Sequence, residues 1–270
     1  MRTLLIDGDI DAYQIASKCE TKIDWGDGIE TKSADSEEAK RQIDTRYRAL
    51  KRMLGADRLI VCLSDSQNFR KDILPTYKAN RKNVIRPALL AELRKYLHES
   101  YEVFQRPSLE ADDVMGILST LGEDAPKLIT GERIIVSVDK DMKNVPGLLF
   151  NPGHPDQGTI EISVEQADYS HMMQTLTGDT TDGYGGCPGI GKKKAEKILN
   201  GKTDLNDPRT HWDFVLSAYA RVAEWLPKDE TYESYALKQA QVALICRAED
   251  YDFANRKPIP WQPTKRKEAA

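Results

Sequence analysis

Apolar positions follow two rhythms over the first 164 residues and a single one afterwards. Short runs, too brief for helices and often β-branched, fall at 3–6, 59–63, 101–105, 134–138, 148–150 and 159–162, and they predict strands. Longer segments between them, at 37–54, 87–98 and 109–121, carry the helical rhythm, the second opened by proline. Strands alternating with helices predict an α/β fold with a mostly parallel central sheet flanked by helices over 1–164. From 165 to 255 the pattern is helical, at 165–176, 192–199, 212–225 and 232–248, which predicts a second, all-α region. Pro258, Pro260 and Pro263, followed by Lys265, Arg266 and Lys267, predict a solvated tail over 256–270.

Composition narrows the class. With 270 residues, 40% hydrophobic and 30% charged, the chain can build a sizeable core. No apolar run nears the roughly 18 residues of a membrane span, and Met1 leads into Leu4, Leu5 and Ile6 without a signal-peptide layout. Four dispersed cysteines with no CxxC pair exclude a zinc ribbon and a disulfide framework, so a soluble protein of the reducing cytoplasm, without a membrane partner, is expected.

The net charge of −4 argues against a nucleic-acid partner until its distribution is considered. Between 66 and 95 stand Arg70, Lys71, Lys78, Arg81, Lys82, Arg86, Arg94 and Lys95 against only Asp72 and Glu92. Such segregation suits a protein that holds phosphate beside clustered carboxylates.

Those carboxylates follow the strands. Three predicted strands run into Asp7, Asp65 and Asp139, the last followed by Asp141, and ligands of open parallel sheets bind beyond the carboxyl ends of the strands. Glu110, Asp112 and Asp113 open a helix, and Asp179 and Asp182 share one turn at a spacing of three. Each alone reads more readily as a helix cap; Asp9 and Asp11, close behind the first strand, read as caps or outer support. Together they are costly, because like charges about 4 Å apart repel by roughly 4 kcal/mol at an effective dielectric near 20. Oxygen donors without a histidine or cysteine constellation select hard ions, Mg²⁺ or Mn²⁺, and two such ions suit attack of water on a phosphodiester.

Two further stretches bear on phosphate. Tyr77, Lys78, Arg81 and Lys82 combine an aromatic ring with cations, suited to base stacking and phosphate neutralisation. Gly189, Gly191, Lys192, Lys193 and Lys194 join a tight turn to a helix start, suited to gripping a backbone without reading sequence. The span from Gly186 to Lys192 matches GxxxxGK, but Lys193 replaces the magnesium-binding hydroxyl and no strand precedes it, so an NTP-binding loop is rejected.

As a set, the runs around Asp7, Asp65, Tyr77 (YKANR), Glu110 (EADD), Asp139 (DKD), Asp179 (GDTTDGY) and Cys187 (GCPGIGKKKA) resemble the 5′-nuclease, or flap endonuclease, superfamily. SDSQNFRKDILPTYKANRK and EADDVMG look most like its T7-type bacteriophage 5′→3′ exonuclease branch. The resemblance covers roughly residues 3 to 200. It implies a helical arch at about 66–98 over the site and a helix-hairpin-helix at about 176–200 on duplex DNA. It further implies two or more divalent ions on Asp7, Asp65, Glu110, Asp112, Asp113, Asp139, Asp141, Asp179 and Asp182, with phosphate contacts from Lys78 and Arg81. A monovalent cation in the hairpin is a further implication, and Gly183 departs from the asparagine or tyrosine that often follows the second aspartate there. The expected activity is metal-dependent hydrolysis of DNA from 5′ ends or flaps in phage replication or recombination, with RNA primers in RNA–DNA hybrids left open. A PIN-like endoribonuclease and a non-catalytic DNA-junction binder are the alternatives.

Overall fold

The computed structural model describes residues 1–24, 30–122, 128–201 and 210–263. Strand β1 (Arg2–Asp7) leads into helix α1 (Gly8–Lys18), a hairpin of β2 (Glu20–Asp24) and β3 (Glu30–Ala34), helix α2 (Ser36–Met53) and strand β4 (Arg58–Cys62). After α3 (Arg70–Ile73), a 3₁₀ turn at Ala79–Asn83 and α4 (Leu90–Ser100) come β5 (Val103–Phe104), α5 (Ala111–Ser119) and β6 (Glu132–Val136). A 3₁₀ turn at Lys140–Asn144, β7 (Gly147–Phe150) and β8 (Thr159–Ile162) complete the layer. Then follow α6 (Val164–Thr177), α7 (Lys192–Leu199), α8 (His211–Ala220), α9 (Tyr232–Ala243) and the short strands β9 (Tyr251–Asp252) and β10 (Lys257–Pro258).

The central sheet runs β5-β4-β1-β6-β7-β8, parallel throughout except for β8 against β7. Its middle strand is apolar on both faces because both are covered. Leu4 and Ile6 pack with Ile43, Tyr47, Leu93 and Leu97, whereas Leu5 turns the other way onto Met115, Leu118 and Ile135. On that second face α5 approaches the C-terminal chain so closely that a Cβ on Gly116 would collide with the Cys246 carbonyl.

A separate core in the helical region joins Leu176, Ala195, Leu199, Val215, Tyr219, Ala236 and Ala240. The chain then returns to the sheet, where Ile245, Cys246 and Tyr251 pack with Leu5 and Met115. The expected all-α region therefore does not run to 255: its last predicted helix stops at Ala243, and Ile245, Cys246 and Tyr251 beyond it pack in the sheet layer. Trp261 is buried against His171 and Trp212, and β10 pairs with β9, so the proline-rich stretch is packed rather than solvated through Trp261. Apolar contact with a neighbouring core overrides its loop-like composition. Lys265, Arg266 and Lys267 lie outside the described residues.

The sequence pattern also passed over α1 and the β2–β3 hairpin. Residues 66–98, where the resemblance implies a helical arch, hold α3, the 3₁₀ turn and most of α4. Among the described residues no helix is long and apolar enough to cross a membrane.

Candidate active site

Parallel strands deliver their carboxyl ends to one edge, and there a cleft of about 330 Å³ opens. Asp7, Asp9, Glu110, Asp112, Asp139, Asp141, Asp179 and Asp182 line it, against Lys78, Arg81 and Lys140. Acidic groups thus outnumber cations by more than two to one. Among the described residues no three of these side chains already close into a ligand cage.

Asp7 shows how one side chain serves both fold and cleft. Its Oδ1 caps α1 by accepting from the Ile10 N–H at 3.0 Å, and its Oδ2 accepts from Ser137 Oγ at 3.0 Å. Ser137, which the sequence pattern did not single out, also accepts from the Asp139 N–H at 3.0 Å, and so spans two neighbouring strand ends. Its place directly after the apolar run of β6 was the signal for it. Asp139 Oδ1 in turn accepts from the Asp141 N–H at 2.8 Å.

Burial and crowding push Asp7, Asp112 and Asp141 toward their neutral forms. The Asp7 carboxyl is raised to about 6, by burial first and also by Asp11 and Asp139. Asp141 is likewise raised to about 6, by burial and then by Asp139, Asp179 and Asp182. Asp112 is raised well above its ordinary value, by burial and then by Asp7 and Asp139. A divalent cation would relieve this repulsion directly, and all the donors present are oxygens, so the residues fit a hard metal ion.

The acidic run at the start of α5 divides three ways. Asp112 faces the cleft. Glu110 lies at its wall, where burial raises its pKa but Lys78 and Arg70 outweigh that and hold it down at about 2. Asp113 is fully buried elsewhere: its carboxylate takes two hydrogen bonds from Arg70, at 2.7 and 2.6 Å, and others from the backbone of Glu110 and Cys246. Arg70, itself 2% exposed, also donates to the carbonyls of Val242 and Leu244, so this pair fastens the return of the C-terminal chain. Asp113, expected among the metal ligands, is withdrawn from the cleft by that guanidinium.

Asp65 is not among the cleft residues either. Its Oδ2 accepts from the Ser108 N–H at 2.8 Å, and backbone donors at Ser108, Ser66 and Gln67 hold its pKa low. Asp9 takes a place at the rim instead, paired with Arg94 and accepting from the Ser64 N–H. Asp11 is buried and paired with Arg46.

The segment after α3 closes over this edge. Tyr77 was expected to offer its ring to bases, but it is 3% exposed and stacked against Tyr184, with ring centres 6.4 Å apart. Its hydroxyl reaches Glu110 at 2.8 Å and Asp182 at 3.1 Å, so it positions carboxylates. Lys78 adopts the left-handed backbone region, φ 52°, an uncommon state for a non-glycine residue. Its ammonium pairs with Glu110, and burial, which lowers its pKa, is overcome by Glu110 and Asp182. Arg81 pairs with Asp182 at 2.5 Å while staying half exposed, and Lys82 is exposed. Gly183 explains its departure from the expected residue: with φ 76° it faces Thr76, and a Cβ there would lie 2.5 Å from that carbonyl oxygen.

Asp179 and Asp182 sit on the turn that feeds the glycine-rich hairpin. Asp179 and Tyr184 exchange backbone hydrogen bonds at 2.9 and 3.1 Å, and Gly186 N–H donates to Gln239 at 2.8 Å. Gly189, Gly191, Lys192, Lys193 and Lys194 are all exposed around the start of α7, with Lys194 Nζ on the Gly189 carbonyl at 2.8 Å.

A mostly parallel sheet that gathers carboxylates at one edge beneath lysine and arginine is an α/β arrangement suited to metal-assisted phosphodiester hydrolysis, and the relatives of this chain are nucleases. The chain belongs to the 5′-3′ exonuclease family, whose N-terminal resolvase-like domain matches residues 2–147. The exonuclease of Escherichia phage T7 is 30% identical over 292 residues, covering 96% of this chain and 93% of that protein. The exodeoxyribonuclease of Enterobacteria phage T3 is 28% identical over 287 residues, with 96% and 92% covered. A flap endonuclease Xni of Shewanella sp. (strain W3-18-1) is 31% identical over 216 residues, with 74% and 79% covered. Among solved structures, the T5 D15 protein co-crystallised with metal ions has the same fold, with a TM-score of 0.60 at 16% identity over 90% of this chain and 89% of that one.

Proposed function

We propose that the chain hydrolyses DNA from 5′ ends or flaps with Mg²⁺ or Mn²⁺, acting in the cytoplasm, that of the host if phage-encoded. The observation that carries this reading is the ring of carboxylates whose mutual repulsion and burial leave them short of positive charge. Asp7, Glu110, Asp112 and Asp139 would hold one ion, and Asp141, Asp179 and Asp182 would lean toward a second. Ions bound there acidify water and polarise the scissile phosphate.

The remaining work belongs to side chains. Lys78 would exchange its Glu110 partner for a phosphate oxygen and oppose charge developing in the transition state. Arg81, half exposed, would bring the phosphate to it. Tyr77 keeps Glu110 and Asp182 in place while this happens. Lys192, Lys193 and Lys194 would grip the phosphates of duplex DNA near the hairpin turn, the seat also proposed for a monovalent cation.

The experiment is cleavage of 5′-labelled blunt duplex, flap and RNA–DNA hybrid, each with and without Mg²⁺ or Mn²⁺. Release from the 5′ end that stops on chelation is expected. Cleavage indifferent to chelator, or confined to internal sites of single-stranded RNA, would sink the reading.

A further inference from the structure

Trp225 stands out among the exposed side chains. It closes the 3₁₀ turn Ala223–Trp225 and remains 65% exposed, whereas Trp261 is buried and Trp212 partly so. Leaving a large aromatic in water forgoes most of its burial energy. The turn beneath it is firm: Trp225 N–H donates to Val222 at 2.9 Å, and the next residue, Leu226, is buried in the helical core. The indole is therefore held outward by the fold.

Its neighbour decides what it meets. The ring edge comes toward the hairpin, so that a Cβ on Gly189 would lie 3.9 Å from Trp225 Cζ3. Gly189 has φ 73°, and its carbonyl is taken by Lys194. The indole thus borders the exposed turn from which Lys192, Lys193 and Lys194 project. The turn itself adds little charge, since exposed Arg221 and Lys228 are offset by Glu224 and Asp229. Apolar surface lies beside a lysine-rich helix start, which is the pairing a nucleic-acid backbone presents in reverse: phosphates beside the apolar C–H faces of its sugars.

We infer that Trp225 is a DNA-binding residue that packs against the deoxyribose face of the duplex whose phosphates the hairpin holds. The inference rests on the proposed hairpin contact. It adds a neutral component to an otherwise electrostatic grip, and so contributes affinity that salt does not screen.

The test is duplex binding by Trp225→Ala, Trp225→Phe and the triple change Lys192→Ala, Lys193→Ala, Lys194→Ala, each titrated over a range of salt. Trp225→Ala should weaken binding about tenfold, the size expected from re-exposing part of one aromatic side chain's apolar surface, with the slope of log K against log salt unchanged. Trp225→Phe should recover most of that affinity. The lysine change should flatten the slope by up to about 0.9 for each phosphate no longer neutralised. Because Trp225 is exposed, its variants should melt as the parent does. Parental affinity in Trp225→Ala, or weakening seen for single strands but not for duplex, overturns the inference. If the lysine change too leaves affinity and slope untouched, it is the hairpin reading that fails.

Discussion

The backbone N–H of Lys78 donates to the carbonyl of Asp182 at 2.7 Å, while Lys78 Nζ lies 3.4 Å from that residue's carboxylate. One residue of the basic segment is thereby fixed to the acidic turn at two points, from across the cleft. The left-handed backbone of Lys78 and the bare Cα of Gly183 make this approach possible. The lysine is thus aimed inward before any substrate arrives, which is what separates it from the exposed Lys71 and Lys82 of the same segment.

Lys78→Ala should lower single-turnover cleavage at saturating DNA by about 10² or more, since a donor aimed at developing charge is worth roughly 3 to 4 kcal/mol. Lys71 and Lys82 are exposed, and their double change to alanine should raise the DNA concentration needed while sparing the saturated rate. Arg94 does not belong to that comparison, because it is engaged with Asp9 and the Ser64 carbonyl. A Lys78→Ala enzyme with a normal saturated rate would reduce Lys78 to a tether.

Asp139→Asn and Asp182→Asn should each remove most turnover but leave duplex binding measurable, because each takes a proposed ligand from the cleft and spares the hairpin. Filter binding beside a cleavage assay checks both halves. Near-parental cleavage in both variants would contradict the ligand assignment.

Asp113→Ala should behave differently from its neighbours in sequence. It strips the bidentate partner from the buried Arg70 guanidinium, leaving it Glu110 at 3.3 Å and two carbonyls, and breaking such a pair costs about 3 to 5 kcal/mol. A marked fall in melting temperature is expected, against little change for Asp139→Asn. Equal melting temperatures would show that Arg70 finds other partners.

The crowded acids also make stability depend on pH. Asp7 and Asp141, raised from 3.8 to about 6, bind protons more tightly in the folded chain than in the unfolded one. Their contribution is present in full below about pH 4 and is lost as pH rises through 6. The metal-free protein should therefore melt at progressively lower temperature between pH 4 and 6 on account of this cluster. Saturating Mg²⁺ should raise the melting temperature most above pH 6, where the carboxylates are free to bind it. A Mg²⁺ effect that is equal at pH 5 and pH 7 would argue against the cluster as the metal site.

Much of the architecture was set by local pattern. β-branched apolar runs can be satisfied only by a sheet covered on both faces, and a parallel sheet must deliver Asp7 and Asp139 to the same edge. The glycine turn and the apolar spacing of α7 were equally legible, since both depend on residues a few positions apart. Helix α1 was not, because its acidic start resembles a loop until Asp7 caps it and β1 anchors it.

What sequence could not decide is which carboxylate is left facing the cleft without a cation of its own. Glu110, Asp112 and Asp113 are near neighbours, yet the first meets Lys78 from 32 positions away, the second faces the cleft and the third is claimed by Arg70 from 43 positions away. Tyr77 was withdrawn from solvent by Tyr184, and Trp261 by the helical core. Local composition fixes what a segment can become, because periodicity and capping act over a few residues. Burial and ion pairing depend on which distant atoms share a volume, and only the folded chain brings those together.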